Sequence, residues 1–522
     1  MSPSFSCKPS AEAPGPGQPG AATPAAPAAP TAPAAPADLT IAADLAAKVA
    51  RQVPVRIDFD EGLLTAQDRQ VLKKLAEAAL IMDQLFLLQV DEGNPALRGQ
   101  LAADPARAEA LTLFDMMAGP WDRLDGDKPF VGARPKPPGA AFYPPAMTKE
   151  AFQAHLQAHP EEKEAFTGYF SVIREQEGRL KAIPYSVFYK EPLEQAARLL
   201  EEAAALAGDE RLKRYLTLRA KAFRTDDYVE SDMAWMDLGD GKIEVVIGPY
   251  EVYEDGLFGY KAAFESFLAL RDPADSARLA SIMQSIPALE KKLPLPEKYV
   301  VAPRGMESPL SVVVLVLSAG DTKAGVQTLA FNLPNDEKVR QAKGSKKVML
   351  RNVAEAKFAQ ILLPIALQMI VEEQVADITF EAFFNHTLLH ETAHGMGPGV
   401  LTLPDGSKSE VGRELKDLYS FIEEAKADML GLWGTHQLVD MGLLPKALEK
   451  QAYAATLAGL FRSLRFGIHE AHGKANLIQY NWLLRHGAIE RLGDGRYRVD
   501  YGRARPVVEE LARQLLIVEA EG

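Results

Sequence analysis

The sequence predicts an α+β protein large enough for two domains. Three observations carry this. Between residues 40 and 230, apolar residues recur with a helical period, interrupted by turn-forming residues. From about 240 the period shortens to that of strands, in KIEVVIGPYEVY and again in SVVVLVL. The chain has 522 residues, 47% apolar and 25% charged, enough to surround two sizeable cores.

Residues 1–39 are rich in alanine and proline, nearly without large apolar side chains, and are expected to form a disordered linker. Cys7, the only cysteine, excludes an intrachain disulfide and a cysteine zinc site. Its place ahead of a flexible tether is similar to the acylated cysteine of bacterial lipoproteins, but no hydrophobic region precedes it. The expected location is cytoplasmic, or periplasmic and lipid-anchored through Cys7 if the N-terminus is incomplete. Helices are predicted at roughly 42–52, 66–92, 104–117, 148–158, 192–207 and 209–223. The proline-rich stretch Asp125–Pro145 separates them. His155 and His159 are four apart but lack a matching carboxylate pattern, so they read as an exposed helix face. Strands follow at Lys242–Tyr253, Ser311–Leu317 and Val326–Leu333, around a helical excursion at 274–292. A net charge of −13 argues against nucleic acid and anionic membrane surfaces as partners. No apolar run reaches the ~18–20 residues of a transmembrane helix.

The chemistry concentrates between His386 and Trp433. His390-Glu391-Thr392-Ala393-His394 is an HExxH signature. Residues four apart share a helix face, so both imidazoles can meet one zinc ion, and Glu391 can take a proton from a water beside it. Phe380 to Phe384 leads into this helix, and Gly395, Gly397, Pro398 and Gly399 terminate it. Zinc needs a third protein ligand. Val400 occupies the position of the third metzincin histidine, so a carboxylate is expected instead. The run Val411–Leu432 reads as one helix with Leu415, Leu418, Ile422, Ala425, Met429 and Leu432 on its apolar stripe. Glu423, Glu424 and Asp428 lie beside that stripe. Such a cluster alone is ordinarily a solvated face, but the HExxH upstream changes its meaning. Glu424 is the expected third ligand. Asp428 is expected to orient an imidazole from behind, and Glu423 is placed in the same supporting shell.

HETAHGMGPG followed by EEAKADMLGLW resembles the dipeptidyl peptidase III family of zinc metallopeptidases. The five-residue HExxH, where that family usually has HExxGH, and the alanine-lysine-aspartate ending resemble a shorter bacterial and plant branch. In that branch the domain can accompany a Nudix domain, but no Nudix box is present here. The resemblance covers roughly 120–520, with four motifs in order. It implies that Glu251 binds substrate and Tyr253 is catalytic, from EVYED followed by GYKAAFE. It implies that Asn332 and Asn335, from FNLPND, bind the substrate backbone, and that His472 stabilises the transition state. Asn476 stands where longer members often carry an arginine. His386, His436, His469 and His486 match no role and read as structural.

The resemblance further implies a mostly helical zinc lobe facing a second lobe, built around a small β-barrel, across a wide cleft. The expected division is 40–271 as a helical segment with the first strands of the substrate lobe, and 272–310 as a helical excursion of the zinc lobe. Residues 311–357 are then further strands, and 358–522 the helical zinc lobe. One Zn²⁺ per chain on His390, His394 and Glu424 is expected, with Glu391, Tyr253 and His472 catalytic and an oligopeptide as substrate. The implied activity is release of dipeptides from peptide N-termini. A non-catalytic zinc-bound peptide-binding protein, or a zinc hydrolase of another small amide, are the alternatives; the intact Glu391 argues against the first.

Overall fold

Thr65 opens the longest helix of the N-terminal half. Its hydroxyl accepts from the Asp68 backbone N–H at 3.1 Å, and the Asp68 carboxylate accepts from the Thr65 N–H at 2.9 Å. This reciprocal cap satisfies two otherwise orphaned donors and starts α1, Ala66–Val90. The computed structural model describes residues 38–299, 310–403, 405–465, 467 and 471–522. Cys7, His469 and nearly all of the proline-rich linker lie outside them.

Past shorter helices that include Ala108–Met117 and Lys149–Ala158 comes a hairpin that helical periodicity does not announce: β1 (Ser171–Gln176) pairs antiparallel with β2 (Arg179–Pro184). Glu177 and Gly178 both take positive φ, the turn geometry that matches strand twist. Helices α2 (Lys190–Leu206), α3 (Glu210–Thr225) and α4 (Val229–Met236) follow. Next come β3 (Ile243–Glu251) and β4 (Ala263–Arg271), then α5 (Pro273–Glu290). The strands β5 (Leu310–Gly320), β6 (Ala330–Leu333) and β7 (Lys346–Leu350) complete the sheet. Beyond them lie α6 (Phe380–Ala393), α7 (Tyr419–Asp440), α8 (Ala447–Leu464), α9 (Ala471–Arg485) and α10 (Tyr501–Glu521).

The expected barrel is instead an open sheet in the order β3-β4-β5-β7-β6, antiparallel except for β5 with β7. No pairing joins the edges β3 and β6 among the described residues. Closure needs a continuous staggered ladder, and β6, with four residues, is too short to supply one. Strands β4 and β7 carry no clear strand pattern in the sequence. Glu265 and Ser266 interrupt the apolar run of the first, and two lysines open the second.

Two hydrophobic cores flank this sheet. One collects α1, α2, α3 and both faces of β3 and β4, whose consecutive residues Val245, Val246 and Ile247 and Phe267 to Leu270 all belong to it. The other collects α6 to α10 with Leu279, Ile282, Ile286 and Leu289 of α5. Successive strand residues point to opposite faces, and the two cores divide β5 and β7 accordingly. Val313, Leu315, Val348 and Leu350 enter the first core, while Val312 and Met349 enter the second. At about 25 cal/mol per Å² of buried apolar surface, this two-sided burial is what holds the sheet against the helices.

One further expectation needs correction. Val411–Leu432 is not one helix. A short turn, Val411–Leu415, ends at Lys416, whose φ of +51° takes the chain out of the helical region, and α7 begins only at Tyr419. Leu418, placed by periodicity on the apolar stripe, falls in this break and is 54% exposed.

Candidate functional site

The site forms where α7 crosses α6. Thr379 caps α6, its hydroxyl accepting from the Ala382 N–H at 3.3 Å, so the HExxH residues fall on the last helical turns. A glycine permits the close crossing. A Cβ on Gly431 would stand 3.1 Å from the His390 backbone nitrogen and 3.3 Å from the His386 ring. Any larger residue would push α7, and with it Glu424 and Asp428, away from the imidazoles.

His390 Nε2 and His394 Nε2 lie 3.1 Å apart. Glu424 Oε2 lies 3.4 Å from the first and 4.0 Å from the second, and 3.2 Å from His472 Nε2. This oxygen is buried and has no hydrogen-bond partner, although three imidazole nitrogens face it. Donor atoms about 2.0–2.2 Å from a tetrahedral zinc are separated by roughly 3.3–3.5 Å, a spacing these distances bracket. A buried carboxylate oxygen facing imidazole nitrogens without bonding them suits a cation between them. The donor set His390, His394 and Glu424 therefore fits a zinc ion.

Each imidazole is backed by a carboxylate. Asp428 Oδ1 accepts from His390 Nδ1 at 2.8 Å, and Glu423 Oε1 from His394 Nδ1 at 2.9 Å. These bonds leave both Nε2 atoms turned toward Glu424. Burial pushes the His390 ring toward neutrality, but Asp428 and Glu424 outweigh it and raise its affinity for a positive partner. Burial likewise pushes the Glu391 carboxyl up, yet Lys347 and the two imidazoles hold it below the usual range.

Three partners here were not legible in the sequence. Gln479 of α9 donates to Asp428 Oδ2 at 2.7 Å, holding the carboxylate behind His390. Lys426 is almost fully buried, 2.7 Å from Glu423 Oε1, and donates to the carbonyls of Ala393 and Met396 at 3.2 Å each. Lys347 reaches from β7 to the Glu391 backbone oxygen at 2.9 Å and its carboxylate at 3.3 Å. His386, read as structural, approaches the same carboxylate as His390, 3.6 Å from Asp428. His436 is buried beside Tyr453, and His486 packs on Trp482.

The remaining expected residues form a second group. Strand β3 ends at Glu251 after a bulge, so Tyr253 lies in a turn and strand alternation does not place it on the face of Glu251. Tyr253 is 56% exposed; partial desolvation, then the charges of Glu251, Asp321 and Glu265, push its hydroxyl up to about 12. Burial and the Asp321 charge push Glu251 up to about 7, opposed by a bond from Asn335. Asn335 also donates to the Tyr250 carbonyl at 3.1 Å. Asn332 sits opposite Lys347 in the β6–β7 ladder, and its Oδ1 is buried without a partner. No hydrogen bond joins Tyr253 to the imidazole–carboxylate cluster among the described residues. His155 and His159 do not form a freely exposed face: His155 bonds Glu162 at 2.8 Å and stacks on Phe166.

Comparison with known proteins identifies the family. The model of Peptidase family M49 matches residues 161–410. The solved structure of DPP III from Caldithrix abyssi superposes with a TM-score of 0.88 at 52% identity, covering 91% of each chain. That of dipeptidyl-peptidase III from Corallococcus sp. strain EGB gives 0.75 at 43% identity, covering 92% of this chain and 90% of the other. A protein of Arabidopsis thaliana named Nudix hydrolase 3 is 39% identical over 92% of this chain and 68% of its own length. The fold and the site thus define a metallopeptidase. The chain belongs to the dipeptidyl peptidase III family, peptidase family M49.

Proposed function

We propose that the protein is a zinc-dependent exopeptidase that releases dipeptides from the N-terminus of oligopeptides. The observation that carries this reading is the unbonded Glu424 oxygen facing the imidazoles of His390, His394 and His472. His390, His394 and Glu424 would hold the zinc, with Asp428 and Glu423 orienting the imidazoles. When bound, zinc supplies a Lewis acid that polarises the scissile carbonyl and acidifies water. Glu391 accepts the proton of the attacking water and returns it to the leaving amine, a role worth about 10²–10⁴ in rate. His472 and Tyr253 donate to the oxygen on which charge develops.

An exopeptidase must measure from the α-amino group, and a carboxylate with neutral acceptors beside it suits an ammonium. Glu251 at the end of β3, Asn332 on β6 and Asn335 in the loop after it supply that set. In this reading the cores are the centres of two lobes, and the peptide lies between them with its N-terminus on the sheet. The test compares a free oligopeptide with its N-acetylated form, with products read by mass spectrometry. Dipeptides from the free peptide and little cleavage of the acetylated one are expected. Equal cleavage of both would leave an endopeptidase, and no product at all would leave a peptide-binding protein.

A further inference from the structure

Glu391 lies on the last turn of α6, where backbone carbonyls lack the helical N–H partners that earlier turns have. Its side chain has three rotatable bonds, and a base that wanders between rotamers is a poor base. The one hydrogen-bond donor that reaches this carboxylate among the described residues is Lys347. The same ammonium caps the Glu391 carbonyl at 2.9 Å, so a single group fixes both the backbone and the side chain of the residue.

Lys347 does not come from the helical core. It is on β7, and the sheet's alternation explains its direction. Lys347 shares a face with Met349, which enters the core of α6 to α10, while Val348 between them enters the other core. Its partner in the antiparallel ladder is Asn332. Directly opposed residues on neighbouring strands have Cβ atoms about 4.5–5.5 Å apart on one face. Asn332 therefore stands beside the lysine that holds Glu391, its own Oδ1 buried and unbonded.

We propose that Lys347 is a positioning residue. It ties the general base to the strand that reads the substrate, so that Glu391 is correctly aimed only while β6 and β7 lie against α6. This rests on the peptidase reading above, in which Glu391 is the base and Asn332 contacts the peptide. The bland alternative is an ion pair that merely seals the contact between sheet and helix. The two differ in what they predict for turnover. A sealing pair affects stability alone, whereas a positioning residue lowers kcat with little effect on KM, because it acts on the base and not on the peptide.

The experiment uses the full chain with Lys347→Met, which removes the charge but keeps the stem, and Lys347→Arg, which restores a donor to both oxygens. Zinc content, kcat and KM are measured on an oligopeptide with a free N-terminus. With zinc retained, Lys347→Met should lose about 10–100-fold in kcat, the scale of a charged hydrogen bond, with KM within about twofold. Lys347→Arg should recover much of that loss. An unchanged kcat, a change confined to KM, or an arginine variant no better than methionine would each overturn the proposal.

Thermal melts of Lys347→Met, Glu391→Gln and the double variant provide a second measurement. Their shifts should be non-additive, since both changes break one contact. If the unmodified protein releases no product, the peptidase reading falls on its own, and additive melting shifts would then sink the Lys347–Glu391 coupling independently. Should Lys347→Met fail to fold, Lys347→Gln takes its place in both measurements.

Discussion

Replacing Lys426 by methionine should destabilise the helical core far more than a surface lysine would. The side chain is 1% exposed, and its ammonium serves Glu423 and two carbonyls at the end of α6. Glu423 is itself largely enclosed, with 15% of its side chain exposed. Methionine keeps most of the apolar stem, so the loss is electrostatic. It strands a carboxylate beside a single imidazole and leaves the Ala393 and Met396 carbonyls short of a donor. Breaking a buried pair from one side costs about 3–5 kcal/mol. At about 2–4 °C per kcal/mol for a unit of 150–250 residues, the melt of this core should fall by about 6–20 °C. Calorimetry should be run with a chelator, because a bound metal stabilises the folded state by mass action and would mask part of the shift. The double variant Lys426→Met with Glu423→Gln should regain part of the loss, since Glu519, 3.9 Å from the Lys426 ammonium, is then the one carboxylate of this cluster left without that cation. A single-variant shift under about 2 °C, or a double variant as unstable as the single one, would refute the stranded-charge account.

Two further outcomes follow from the site. Glu424→Ala should lose bound zinc, measured by elemental analysis after dialysis, because two imidazoles alone leave the ion weakly held; full occupancy would mean another residue is the third ligand. Glu251 should set a pH window for substrate binding. Its carboxyl is raised to about 7, so the anionic form that attracts an ammonium accumulates as pH rises through that value. The peptide's α-amino group loses its charge above about 7.7–8.0. The KM for a free peptide should therefore pass through a minimum between these limits, and Glu251→Gln should abolish the acidic limb. An acidic limb unchanged in that variant would assign the titration to another group.

The α+β class and the peptidase family could be read from the chain alone. Helical spacing is a local property, so His390 and His394 share a face wherever their helix is placed, and the acidic triplet after them travels on one helix in the same way. The family motifs are likewise short strings in a fixed order. Other features were decided by tertiary structure, because they join residues far apart in sequence. Which carboxylate meets which imidazole, Asp428 with His390 and Glu423 with His394, depends on how α7 crosses α6, and that crossing depends on the missing Cβ of Gly431. The burial of Lys426 is set by the helices around it, not by its own chemistry, so a lysine between two acidic residues reads as solvated until it is seen enclosed. Register decides the rest. A one-residue slip of β7 would turn Lys347 away from Glu391 and Asn332, and no periodicity in KKVML specifies that register. The same holds for the open sheet: whether five strands close depends on pairing between chain segments that carry no local sign of their partners.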